Sequence, residues 1–88
     1  MEFDYILRVG LENGQEDIVR SPVQGAKTIE EASKIVNQGI VNGFVKAMEN
    51  KAVFTLTKHD EGAVISWNTK YVTRFATQVV DREVKKDD

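Results

Sequence analysis

Residue types that carry acid-base or metal chemistry are sparse in this sequence. It contains one histidine, His59, which is followed by Asp60 and Glu61. An imidazole that is oriented by a carboxylate can act as a general base or as a metal ligand. Adjacent residues in a polar turn point apart, however, and a metal site needs three or four converging ligands. We therefore expect a solvated turn at these residues, with no metal site, no cofactor and no enzymatic activity.

The serine, glycine and cysteine patterns also lack a catalytic motif. No serine lies between the two glycines of a nucleophile elbow, and no glycine pair has the lysine ending of a phosphate-binding loop. The chain has no cysteine, which excludes disulfides and thiolate metal sites. Because small secreted domains usually depend on disulfides, we expect a cytoplasmic location.

The aromatic and basic residues between 67 and 75 have the composition of a single-stranded nucleic-acid surface, in which rings stack on bases and cations contact phosphates. The candidate residues are Trp67, Lys70, Tyr71 and Arg74. In a competing interpretation, Trp67 and Phe75 belong to the core while the basic side chains face solvent. Strand alternation favours this second interpretation, because the two basic residues differ in parity from Tyr71 and Phe75. Nucleic-acid binding is therefore the alternative hypothesis for function.

A long helical period, from Thr28 to Glu49, is the element around which the other segments must pack. Apolar residues recur in it at steps of three and four, which places them on one helix face: Ile29, Ala32, Ile35, Val36, Ile40, Phe44, Ala47 and Met48. Thr28 followed by Glu31 predicts a capping box at the start, in which the threonine oxygen accepts from a first-turn amide and the glutamate reaches back to the residue before the helix.

The end of this helix has two interpretations. If Gly39 is a left-handed cap, the helix stops near Gln38. Alternatively it continues to about Met48, and Gly39 and Gly43 lie on a side that another backbone approaches closely. The apolar stripe continues through both glycines, so we favour the long helix.

Strands are predicted on both sides of the helix by alternation with a period of two. Phe3 to Leu11 alternates without a break, and Asn13-Gly14 favours a type I′ turn, so we expect a hairpin. Its second strand should be short and at a sheet edge, because Pro22 cannot donate to a ladder. After the helix, residues 52–57, 63–67 and 71–80 alternate in the same way and are expected to form an antiparallel meander.

The element order β-β-α-β-β-β predicts an α+β domain in two layers, with a mostly antiparallel sheet and one central helix. A shorter helix would favour a small open β-barrel instead. Residues 1–80 are expected to form a single domain and 81–88 a charged tail. The formal charge is −2, which provides no general attraction to nucleic acid or membranes. The N-terminal residues are acidic and no apolar run reaches the length of a membrane span, so we expect neither a signal peptide nor a membrane span.

One helix can cover only one face of the predicted sheet, and apolar side chains also occur at the opposite strand parity. Exposed apolar patches mark interaction surfaces, and a two-fold interface pairs one patch with its own copy. We select Val53, Val64 and Val72 as the candidate self-association face. The leading hypothesis is a non-enzymatic accessory domain that forms a homodimer or binds another protein; a small-ligand or enzymatic domain is the third.

Overall fold

A computed structural model describes residues 2–58 and 62–82. The predicted turn at 59–61 and residues 83–88 of the predicted tail lie outside the described residues. The α+β prediction and its element order are confirmed, and the described strands form no closed barrel. The strands are β1 (Phe3–Leu11), β2 (Glu16–Val23), β3 (Val53–Lys58), β4 (Ala63–Asn68) and β5 (Val72–Asp81). One 21-residue helix, α1 (29–49), lies between β2 and β3.

The strands belong to two antiparallel sheets. One has three strands in the order β2-β1-β5, and the other is the β3-β4 hairpin. The predicted meander of the last three strands is therefore wrong. A 3₁₀ turn at Thr69–Tyr71 follows β4, and the buried Thr69 hydroxyl donates to the carbonyls of Ala47 and Ala52 at 3.2 and 2.6 Å. This anchor turns the chain away from the hairpin, and β5 pairs with β1 instead.

The first hairpin is confirmed, but its turn type is not. A type I′ turn needs positive φ at both central residues, whereas only Gly14 has one, at 88°. The Gly14 N–H donates to the Leu11 carbonyl at 3.0 Å and the Leu11 N–H to the Gln15 carbonyl. This is the pattern of a type I turn followed by a G1 bulge. β2 is an edge strand, as predicted, but it is eight residues long and includes Pro22.

The long helix is confirmed, and it contains a feature that was not predicted. Two α-helical segments, Ile29–Val36 and Asn42–Glu49, are joined by a π-helical segment, Asn37–Val41. Apolar residues at 32, 36, 40 and 44 recur in steps of four, and each step overshoots an α-helical turn by about 40°. The wider π turn compensates for this drift, so the stripe stays directed at the core.

The ends of α1 are held by local hydrogen bonds. The Thr28 side chain accepts from the Glu31 N–H at 3.1 Å, and Glu31 reaches back to the Lys27 N–H at 2.8 Å. At the other end, Lys51 has a left-handed φ of 54°, and the N–H groups of Lys51 and Ala52 donate to the carbonyls of Met48 and Ala47. These are the two bonds of a Schellman motif.

Phe44 is the centre of the core and is fully buried. Its ring centroid lies 4.7 Å from that of Phe54, 4.6 Å from Phe75 and 5.9 Å from Trp67. These rings come from the helix, the hairpin and the three-stranded sheet, so one side chain joins all three units. Gly43 lies against the Phe54 ring and Gly39 faces open space, so the predicted backbone approach at these glycines is wrong.

Candidate functional site

The outer face of the three-stranded sheet, opposite α1, carries a distinctive set of side chains. Residues paired across antiparallel strands share a face, and the register assigns alternate positions of β2, β1 and β5 to this side. We call it the arginine face. It consists of Glu16, Ile18, Arg20 and Pro22 of β2, Asp4, Ile6, Arg8 and Gly10 of β1, and Arg74, Ala76, Gln78 and Val80 of β5, with Glu2 and Arg82 at one end.

The composition of this face is uneven in a way that matters for binding. The arginines of the chain are Arg8, Arg20, Arg74 and Arg82, and all of them lie on this face, whereas none of its positions is a lysine. Ile18 lies among them with 56% of its surface exposed. Arginine is enriched and lysine depleted at protein interfaces, because a guanidinium is planar, weakly hydrated and able to bind carboxylates in a bidentate manner.

One end of the arginine face has an excess of positive charge. Arg8 and Arg74 both lie 3.8 Å from the Glu16 carboxylate, which is too long for a hydrogen bond. Gly10 lies beneath Arg74, and a β-carbon there would come within 2.9 Å of its side chain. Two guanidinium groups thus share one distant carboxylate and keep N–H donors available for another acceptor.

The other end is a compact ion-pair network around Asp4. The Nε atoms of Arg20 and Arg82 donate to the two Asp4 carboxylate oxygens at 2.9 and 2.8 Å, and Arg82 also pairs with Glu2. Burial raises the pKa of Asp4, but the hydrogen bonds from Arg20 and Arg82 outweigh burial, so the pKa lies below its ordinary value of 3.8. Asp4 therefore stays ionised and fixes both arginines on the sheet.

The predicted self-association face is only partly present. Val53 and Val64 lie on the outward side of the β3-β4 hairpin and are 56% and 63% exposed. Val72 is 8% exposed and belongs to the core, so its assignment to that face is wrong. The reason is a register shift: Leu11 pairs with Val72 but Gly10 pairs with Arg74. The extra residue in β5 reverses the strand parity and directs Val72 inward.

The largest ring of the predicted nucleic-acid surface, the indole of Trp67, is buried in the core. Trp67 is 5% exposed, and its indole N–H donates to the Asp17 carboxylate of β2 at 3.0 Å, so it fastens the hairpin to the three-stranded sheet. Tyr71 is about half exposed, and the Lys70 ammonium lies 5.7 Å from its ring centroid. Arg74 belongs to the arginine face. The four residues therefore do not form one continuous surface.

The described part of the chain contains neither a metal-ligand cluster nor a membrane-spanning helix. In residues 2–58 and 62–82, no three histidine or acidic side chains converge to hold a metal ion. No helix in the same ranges is long and apolar enough to cross a membrane. No known protein family, curated protein or solved structure matches this chain. The arginine face, which the sequence interpretation missed, is thus identified from its geometry alone.

Proposed function

We propose that this protein is a non-enzymatic interaction module that self-associates, with the arginine face as the contact between two copies. The observation that carries the proposal is that all four arginines share a sheet face with the exposed Ile18 and that no other described layer covers this face. A β-sheet is stable with both faces covered or with one face polar. This face combines aliphatic and arginine side chains, as interfaces do.

The exposed carboxylate of Glu2 favours a second copy as the partner. The Arg8 and Arg74 end has two cations and one anion, whereas the Asp4 end has two cations and two anions, among them Glu2, whose side chain is 67% exposed. A two-fold axis perpendicular to the strands would place the cationic end of each copy over the Glu2 end of the other. The Arg8 and Arg74 guanidinium groups, which share Glu16 within their own copy, would then also approach the Glu2 carboxylate of the other copy.

The size of the face sets the expected affinity. Three strands about 4.8 Å apart and about 26 Å long present roughly 370 Å² in projection. Side chains project from the sheet, so the accessible surface is larger than this projection. Two copies would therefore bury about 1,200 Å² in total, which is near the small end of stable interfaces. We therefore expect a dimer that dissociates in the micromolar range.

We also propose a cytoplasmic location, because the sequence has no cysteine and small secreted domains usually depend on disulfides.

The test compares two exposed aliphatic residues on different faces. Ile18→Glu places a carboxylate on the β2 strand of the arginine face, and Val64→Glu introduces the same charge on the outward side of the hairpin. Sedimentation from about 10 μM to about 1 mM covers the affinities expected of a small interface. We expect a dimer for the parent, a dimer for Val64→Glu, and at least about tenfold weaker association for Ile18→Glu.

Two outcomes would contradict the proposal. A parent chain that stays monomeric over the whole range has no such interface. Dissociation by Val64→Glu, with Ile18→Glu unaffected, would move the contact to the hairpin face of Val53 and Val64. The nucleic-acid alternative is tested on the same samples by titrating a labelled single-stranded oligonucleotide, with Tyr71→Ala as the variant.

A further inference from the structure

A cleft separates the two sheets on the helix side of the molecule, and Pro22 is the one described residue that lines it and also belongs to the arginine face. Its volume is about 260 Å³. The side chains of Tyr5 and Val23 come from the three-stranded sheet, Leu56 comes from β3, and Ile35, Val36 and Ile40 come from α1. The Trp67–Asp17 hydrogen bond fastens the hairpin to the sheet elsewhere, whereas at the cleft the described strands of the two sheets share no backbone ladder.

The helix wall of this cleft is its π-helical segment. Gly39 and Ile40 belong to Asn37–Val41 and both line the cleft. Apart from the flanking residues and the nearby helix backbone, no heavy atom lies within 4 Å of the point that a Gly39 β-carbon would occupy, so the absence of a side chain leaves this space open. A π turn within an α-helix is uncommon and recurs at functional sites. Here it aligns the apolar stripe and also leaves a gap beside it.

The chemistry of the lining selects the kind of ligand. The cleft-lining residues that the structure describes include no charged side chain, and their polar members beside Tyr5 are Gln24 and Thr57, both exposed. An ion transferred into such surroundings would lose hydration without gaining a partner. Ile35, in the same wall, is 41% exposed, so a bound apolar molecule would cover surface that now faces water.

The volume limits the size of the ligand. An apolar protein cavity of roughly 150 Å³ holds one benzene molecule. On that scale the cleft accommodates about ten non-hydrogen atoms. We propose that the cleft formed by β2, β3 and the π-helical segment binds a small, uncharged and mainly apolar molecule, such as a bicyclic aromatic compound with one hydroxyl group. This proposal does not depend on self-association through the arginine face.

The test uses 2-naphthol as the probe and 2-naphthoate as its charged counterpart, with binding followed by ¹⁵N-resolved NMR titration of the full chain. We expect saturable shifts from 2-naphthol at the amides of Gly39, Val23 and Leu56. The binding of 2-naphthoate should be at least about tenfold weaker, because its carboxylate has no cation to meet. Gly39→Leu should fill the open space and weaken 2-naphthol binding by about tenfold or more.

Gly39→Leu also reports on folding, because leucine is a better helix former than glycine and the melting temperature should not fall. Gln38→Leu is the matched control: it adds the same side chain at the neighbouring exposed position and should bind 2-naphthol within about twofold of the parent. Absence of saturable binding to the parent would overturn the proposal. So would unchanged binding to a folded Gly39→Leu variant, shifts confined to another surface, or equal binding of 2-naphthoate.

Discussion

Replacing Phe44 by alanine should remove most of the stability of this domain. Truncation of a fully buried phenylalanine costs about 3–5 kcal/mol through lost transfer free energy and the cavity left behind. Phe44 is completely buried and contacts the rings of Phe54, Phe75 and Trp67 at centroid distances of 4.7, 4.6 and 5.9 Å. Each such pair adds about 0.5–1.5 kcal/mol beyond burial, so we expect a loss near 5 kcal/mol.

This loss is large compared with the total free energy of unfolding of the domain. At about 0.05–0.15 kcal/mol per residue, a chain of 88 residues has a free energy of unfolding of about 4–13 kcal/mol. Urea denaturation monitored by Trp67 fluorescence measures the change. Phe44→Leu, which keeps most of the volume, should cost about 1–2 kcal/mol. Tyr71→Ala, at a half-exposed ring, should cost less than about 1 kcal/mol.

Stability and NMR measurements can refute the central role of Phe44 in the aromatic cluster. If Phe44→Ala loses less than about 2 kcal/mol, or no more than Tyr71→Ala, the ring is not the junction of the helix, hairpin and sheet. Loss of the hairpin signals alone in NMR spectra of Phe44→Ala, with the three-stranded sheet retained, would show that the two sheets fold as separate units rather than around one side chain.

Two further predictions concern polar groups. Asp4→Asn should lower stability at neutral pH by about 1 kcal/mol, because its arginine partners are partly exposed. The folded-state pKa of Asp4 is lowered, so the contribution of Asp4 to stability is present above the unfolded pKa and is lost as pH falls through the folded pKa. In acid titrations, the stability of the parent should therefore fall more steeply below about pH 4 than that of the variant. Ser21→Ala should leave the free energy of unfolding unchanged or raise it by up to about 1–2 kcal/mol, as measured by urea denaturation. The reason is that the buried Ser21 hydroxyl has no hydrogen-bond partner among the described residues. An Asp4→Asn variant with the parent's acid profile, or a Ser21→Ala variant less stable by more than about 1 kcal/mol, would contradict these assignments.

The parts of the fold that sequence reasoning predicted are those with local signals. Thr28 and Glu31 mark the helix start within four residues, and alternation from Phe3 to Leu11 defines β1 whatever its partners are. The partner of β5 has no such signal, because a period of two is the same whether the neighbouring strand is β4 or β1. Pairing of β5 with β1 joins the two ends of the described chain, and nothing local encodes it.

The errors at the site have one physical origin, which is a change of strand parity. The irregularity between Gly10 and Leu11 adds a residue to β5, so Val72 and Phe75 both face the core although their spacing is odd. Alternation alone places Arg8 on the side opposite Leu7. The predicted two-residue Asn13-Gly14 turn would pair Arg20 with Leu7, whereas the observed register pairs Arg20 with Ile6 and so brings it to the same face as Arg8. The position of Arg74 over Gly10 required the β1-β5 pairing.

The choice of arginine on this face argues for its burial in a complex rather than for solubility alone. Lysine would keep the surface hydrated equally well, and the lysines of the described helix and turns do so elsewhere, as at Lys34 and Lys70. Because Pro22 is the one described residue that the arginine face and the cleft share, the two proposals can fail separately. A monomeric Ile18→Glu variant that still binds 2-naphthol, and a dimeric Gly39→Leu variant that does not, would establish both surfaces independently, since neither substitution reaches the side chains of the other site.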